Sequence, residues 1–341
     1  MSKQAEKNCR LGVVGGQAVL EGIMMRHKDR CSIAVRKEDG TITVKNDNFV
    51  SVRKKHKILN IPILRGAINM VEMLMLSMRT LNDSAEMLGL EEELEGEKKP
   101  KSDENGAEGE KKKGFGILDL VMVLGMVLGI ALAMFLFIFL PTFLTGLIEK
   151  LASANLGAWK AVIEGVLKMV IFVGYLWVCT LMKDIRTTFE YHGAEHKSIF
   201  CYEAGEELTP ENVKKYKRFH PRCGTSFMFV IILISILIGA LPIIPLDNIL
   251  YRTLVKIAIL PVVIGISFEF IMLAGKHSEN FLVKIISAPG LLMQRITTRE
   301  PSLEQIEVAI HALKSAMPEE FPDYVAPEIF ADNTVEDVST N

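Results

Sequence analysis

Glu190-Tyr191-His192-Gly193-Ala194-Glu195-His196-Lys197 sets two imidazoles four residues apart, with a carboxylate immediately before the second. On a helix that spacing places His192, Glu195 and His196 on one face. Two nitrogen ligands and a general base on one rigid face form the minimal layout of a zinc hydrolase, in the inverted order of the metalloprotease motif. Downstream, His220-Pro221-Arg222-Cys223 offers a further imidazole and a thiolate. A catalytic zinc takes three protein ligands and keeps a position open, whereas a structural zinc is closed by four. His192 and His196 are the expected pair for a divalent metal, zinc being favoured. The third ligand is His220, Cys223 or Glu269, and Glu195 is the general base. Closure by His192, His196, His220 and Cys223 together would instead make a structural clamp. The same face could also be a polar helix surface without metal, and Cys223 a small buried apolar residue.

Other chemistry is thinner. Glu269 falls in an apolar run, where a carboxylate is costly and marks either function or a snorkelling side chain near the interface. Glu164 and Lys168 are spaced as a helical i, i+4 pair and read as structural. Gly15-Gly16 reads as a tight turn before a possible helix; backbone N–H groups there could hold a phosphate, but the pattern matches no phosphate loop. Arg295, Arg299 and Glu300 make a dense polar group that either lines a site or caps the last helix.

The elements that must position these residues are mainly helical and apolar. Residues 1–56 read as a small β-rich cytoplasmic unit, with a strand over Leu11 to Val14, a hairpin of Ser32 to Arg36 and Thr41 to Lys45, and a further strand from Asn48 to Val52. Residues 57–90 form an amphipathic helix suited to lying on a membrane or packing against spans. The charged stretch 91–113 has the composition of a disordered linker. Residues 114–275 hold about four spans (Ile117 to Leu144, Ala161 to Met182, Ser226 to Ile244, Leu254 to Ala274), each near the ~20 residues a bilayer requires. The second is expected to continue as a helix carrying the histidine motif into the 183–224 connection. Residues 276–317 add helices, with His277 to Ile286 broken at Pro289-Gly290 and a capping box at Ser302 and Gln305. Residues 318–341 read as a disordered acidic tail.

Hydrophobic residues make up 49% of the 341-residue chain. With the apolar runs this points to a membrane protein whose partners are the bilayer and a membrane-protein partner or a second copy. Basic and acidic residues number 39 and 41, so no global positive field argues for nucleic acid. The five cysteines are scattered, as in a reduced, cytosol-facing chain. Lysine and arginine gather before the first span, in the 183–224 connection and after the fourth span. Both termini and that connection are therefore expected on the cytoplasmic side of the cell membrane. That orientation gathers His192, Glu195, His196, His220, Cys223, Glu269 and His277 at one membrane face.

Four stretches resemble a known bacterial family. They are Gly15-to-Arg26, Pro62-Ile63-Leu64-Arg65-Gly66, the Tyr191-to-Lys197 motif with His220-to-Phe227, and Thr297-Thr298-Arg299-Glu300-Pro301. Together they look like the YqhQ-like family, a multi-pass membrane domain of unknown function labelled a predicted metal-dependent enzyme. The resemblance runs from about residue 11 to 316 and implies a metal site at the histidines and cysteine named above. It also implies roles for Gln17, Glu21 and Arg26, and it supplies no substrate. The expected function is a zinc-dependent hydrolase at the cytoplasmic face, acting on a peptide or lipid-linked substrate. The alternative is a scaffold or assembly factor with a structural metal. Transport is disfavoured, because four spans with few internal charges make a poor pathway.

Overall fold

A computed structural model describes residues 10–90, 117–153, 156–157, 159–241, 249–276 and 280–330. The stretch 91–113 and His277, both named above, lie outside the described residues. Strands β1 (Val14–Val19), β2 (Gly22–His27), β3 (Arg30–Arg36) and β4 (Ile42–Asn48) form an antiparallel meander. A two-residue β5 (Glu328–Ile329) joins β4 in parallel. Residues 318–330 therefore fold back onto the sheet instead of forming a free tail. Thr43 donates to the Glu328 carboxylate at 2.7 Å, and the Phe330 N–H donates to the Val44 carbonyl at 2.9 Å.

Gly15 and Gly16 are not a turn; both lie inside β1. The reversal comes at Leu20-Glu21, with Glu21 at φ 44°. Glycine is needed at 16 for close packing, since a Cβ there would meet the Met24 carbonyl at 2.7 Å and Glu195 Cγ at 3.1 Å. The Asn48 to Val52 segment is not a strand beyond Asn48, where β4 ends.

The sheet is the middle of three layers. One face (Val19, Met24, Ile33, Val35) packs on Leu76 and Met87 of helix α1 (Leu64–Met87). The other face (Val14, Ile23, Met25, Ala34) packs on α5 (Lys183–Ala204) and α10 (Leu303–Ala316). Helix α1 turns its polar stripe inward: Ser77 donates to Gln17 at 2.6 Å, Lys45 to Asp83 at 2.9 Å, and Ser51 to Glu72 at 2.8 Å. Its apolar residues Val71, Leu74, Met75, Met78 and Leu81 are left exposed.

Helices α2 (Ile117–Met134) and α3 (Leu140–Ala152) join through a π-helical turn, Phe135–Phe139; then come α4 (Trp159–Cys179), the short α6 (Pro210–Lys214), α7 (Gly224–Gly239), α8 (Ile249–Lys276) and α9 (Phe281–Thr297). Among the described residues three helical stretches are long and apolar enough to cross a membrane: Leu124–Ala152, Trp159–Cys179 and Leu250–Leu273. The fourth expected span, α7, has 16 residues. At 1.5 Å per residue it covers about 24 Å, short of a ~30 Å hydrocarbon core. The histidine motif does not continue the second span. Helix α4 stops at Cys179, and Met182 is an extended N-cap (ψ 132°) from which α5 starts anew. Nor does Pro289-Gly290 break α9, which runs through both; Gly290 lies against Ser226, whose Cα a Cβ would meet at 2.7 Å.

Candidate metal centre

Helix α5 carries His192, Glu195 and His196, and its C-terminus is set by Gly205 at φ 75°. Cys223 is the N-cap of α7, where a helix N-terminus favours negative charge. Imidazole atoms of His192 and His196 and the thiol of Cys223 all lie within 4.8 Å of one another, and no fourth His, Cys, Asp or Glu joins the group among the described residues. His192 Nε2 is 3.2 Å from Cys223 Sγ. The His192 Nδ1 is 2.8 Å from the Thr297 carbonyl, and the His196 Nδ1 is 2.5 Å from the Arg218 carbonyl. A carbonyl only accepts, so each Nδ1 carries a proton, and in the neutral ring that leaves the Nε2 lone pair free to bind a metal. This second contact is what fixes metal-binding histidines in general, and two imidazole nitrogens with a thiolate are a donor set that zinc accepts.

Residues 297–301 act as the brace. Gly193 lets the Arg299 carbonyl approach α5, since a Cβ at 193 would stand 2.0 Å from that oxygen. The Arg299 N–H donates to the Phe189 carbonyl at 2.8 Å, and Lys197 pairs with Glu300 and donates to the Lys214 carbonyl at 2.9 Å. Arg299 thus contributes its backbone.

His220 sits beside the cluster without joining it. Its ring lies 5.5 Å from that of His196, but its Nδ1 accepts from the Arg222 N–H at 3.3 Å. Its Nε2 faces the Glu203 carboxylate at 3.9 Å, too far for a hydrogen bond. Burial holds the imidazole below its ordinary pKa. Burial also works against ionisation of Glu203, but the Gly12 N–H at 2.8 Å and the paired Arg222 guanidinium outweigh it and keep that carboxyl low. Glu269 is not a ligand candidate either: its carboxylate takes Arg65 Nε at 2.6 Å and Nη2 at 2.5 Å, clasping α1 to α8. Gly66 and Gly265 permit that clasp, because a Cβ on Gly265 would meet the Ile63 carbonyl at 2.3 Å.

A cavity of about 790 Å³ opens beside the cluster, lined by His192, Glu195, His196, Cys223, Arg26 and β1 residues among others. Burial raises the Glu195 carboxyl above the ordinary carboxylate range, against the pull of His192 and a Gly16 N–H bond. The Glu21 carbonyl accepts from the Arg36 N–H at 2.9 Å, so Gly22, Met24 and Arg26 turn their N–H and C=O toward β1, and Gly16 turns its own away from the sheet. By the alternation of an antiparallel ladder, the N–H and C=O of Val14 and Ala18 point the same way. Among the described residues β1 is the edge strand, so these groups lie on its unpaired side. Gln17 also borders the cavity, yet its amide is spent on Ser77 and Thr80. Arg26 stacks 4.6 Å over Phe49, and Glu21 meets the Tyr191 hydroxyl at 3.5 Å.

The family described as "Protein of unknown function (DUF1385)" matches over residues 61–319. The chain belongs to this family. It is also similar to "Uncharacterized protein YqhQ" of Bacillus subtilis (strain 168), 36% identical over 307 residues, covering 89% of this chain and 92% of that one. No solved structure matches.

Sequence reasoning missed Gln294, fully buried, whose amide accepts from the His220 N–H at 2.7 Å and donates to its carbonyl at 2.8 Å. Glu203 was legible in principle, because it follows His196 by seven residues on the same helix face. The Thr297 and Arg218 carbonyls leave no trace in side-chain identity.

Proposed function

We propose that this protein is a metal-dependent hydrolase of the cytoplasmic membrane face, zinc being the favoured ion, acting on an extended peptide segment. The observation that carries the reading is the three-donor cluster with its histidines already oriented, one side open to a cavity that Glu195 and an unpaired strand edge share. A bound divalent ion would supply Lewis acidity at the scissile carbonyl. Within this chain, Thr297 and Arg218 hold the imidazoles, Glu195 takes the proton of the attacking water and returns it to the leaving amine, and Val14 and Ala18 pair with the substrate backbone as a further strand. Arg26 and Arg222 also border the cavity.

Membrane residence draws support from the three spanning-length helices and from the exposed apolar face of α1, the kind of face an interfacial helix presents. If α7 crosses with them, the spans number four, and the basic residues of the connection place both termini and the cluster in the cytoplasm.

A scaffold with a structural metal is the second reading, since the cluster also ties α5 to the start of α7. The want of a fourth donor among the described residues favours the catalytic one. Zinc-loaded full-length protein in nanodiscs, incubated with a peptide library and read by mass spectrometry, separates them. Wild type should cleave, while Glu195→Gln should hold equal metal and cleave nothing. Metal binding without cleavage by wild type would leave the scaffold.

A further inference from the structure

At the end of the helices remote from the metal cluster, Glu164 of α4 is 3% exposed and collects three cations. Arg252 Nη2 stands 2.7 Å away, Lys168 Nζ 3.6 Å, and Lys256 Nζ pairs with it while also donating to Thr142 at 3.0 Å. The neighbouring Glu149–Lys160 pair, at 2.7 Å, is balanced. Among the described residues one carboxylate faces three cations, an excess of two positive charges between apolar helices. Buried charge without a partner is strongly destabilising, and in spans it marks function. The three cations border a cavity of about 60 Å³ whose remaining wall includes Ile138, Ile236, Leu260 and Val263; Glu164 is the sole carboxylate among its described lining residues. Arg252, 3% exposed, has its Nε buried there with no hydrogen-bond partner among the described residues. A water needs roughly 10–15 Å³ of such space, so the cavity admits one compact anionic group. A guanidinium with a free N–H beside two ammonium groups is the chemistry that recognises phosphate.

We propose that this cavity binds a phosphate group, presented by the headgroup of an anionic lipid in the leaflet opposite the metal cluster. The proposal rests on the reading of the chain as membrane-embedded and is independent of metal and hydrolysis. Glu164 orients the cations, and the phosphate supplies the charge that Glu164 alone does not.

The test uses full-length protein in detergent micelles, titrated with phosphatidylglycerol or phosphatidylcholine and read by native mass spectrometry and thermal unfolding. Wild type should retain phosphatidylglycerol selectively and be stabilised by it. Losing one charge-assisted hydrogen bond should weaken binding about tenfold or more, so Arg252→Gln and Lys256→Gln should each do so. Glu164→Gln removes a competing negative charge and should bind more tightly, the opposite of what a purely structural ion cluster predicts. Should Glu164→Gln not accumulate, Lys168→Gln serves in its place and should weaken binding. A parallel titration with glycerol phosphate separates the sources: equal protection would mean a free phosphate compound occupies the site, and protection by the lipid alone would mean a headgroup. Equal retention of both lipids by wild type, unchanged binding in the arginine and lysine variants, or weaker binding by Glu164→Gln would overturn the proposal.

Discussion

Gly193→Ala is the substitution that most directly couples the fold to the candidate site. The new Cβ would lie 2.0 Å from the Arg299 carbonyl oxygen, a backbone atom that cannot rotate away. Restoring ordinary contact requires residues 297–301 to retreat from α5 by more than about 1 Å, and overpacking of this kind costs about 1–3 kcal/mol. The Thr297 carbonyl sits only two residues from the displaced atom and holds His192 Nδ1 at 2.8 Å. The same retreat would stretch that bond beyond hydrogen-bond range. Loss of such a contact to a metal-binding histidine typically weakens metal affinity about 10- to 100-fold. The assay is cobalt titration of the purified protein, following thiolate-to-cobalt charge transfer, with stability measured alongside by chemical denaturation. Gly174→Ala is the control, because its Cβ would meet nothing within 4 Å. If Gly193→Ala binds cobalt as wild type does and unfolds at the same denaturant concentration, the account of the brace is wrong.

Three further outcomes follow from the geometry. Cys223→Ala should lose metal while His220→Gln keeps most of it, since His220 directs its nitrogens at Arg222 and Glu203; metal analysis after desalting decides, and the reverse ranking would move His220 into the ligand set. Gly265→Ala should destabilise the α1–α8 contact by about 1–3 kcal/mol, seen as earlier thermal unfolding; unchanged unfolding would show that Ile63 yields freely. Arg65→Ala and Glu269→Ala should each loosen α1, and the double variant should be no worse than either alone; additive losses in the thermal double-mutant cycle would mean the two act separately.

Much of the site was legible because helical spacing is rigid: His192, Glu195 and His196 share a face wherever that helix lies. The choice among His220, Cys223 and Glu269 was not legible, because it turns on which way a side chain faces after the chain folds back. Glu269 is claimed by Arg65, some 200 residues earlier in the chain, and the His220 Nδ1 is taken by the Arg222 N–H. Two adjacent glycines ordinarily signal a turn, yet here the close approach of Glu195 and Met24 to Gly16 explains the glycine while the strand runs straight through. The break between α4 and α5 has neither Pro nor Gly to announce it. β5 is two residues in an acidic, proline-bearing stretch whose strand pairing comes from β4, a partner far away in the sequence.

The central claim is that His192, His196 and Cys223 hold one metal ion. X-ray absorption on mildly purified full-length protein, with metal quantified in the same sample, tests it most directly. The account predicts about one zinc per chain, one sulfur and two imidazoles among its neighbours, and loss of the sulfur shell in Cys223→Ala. Stoichiometric metal with no sulfur neighbour, or a protein that neither retains nor rebinds zinc, would contradict it.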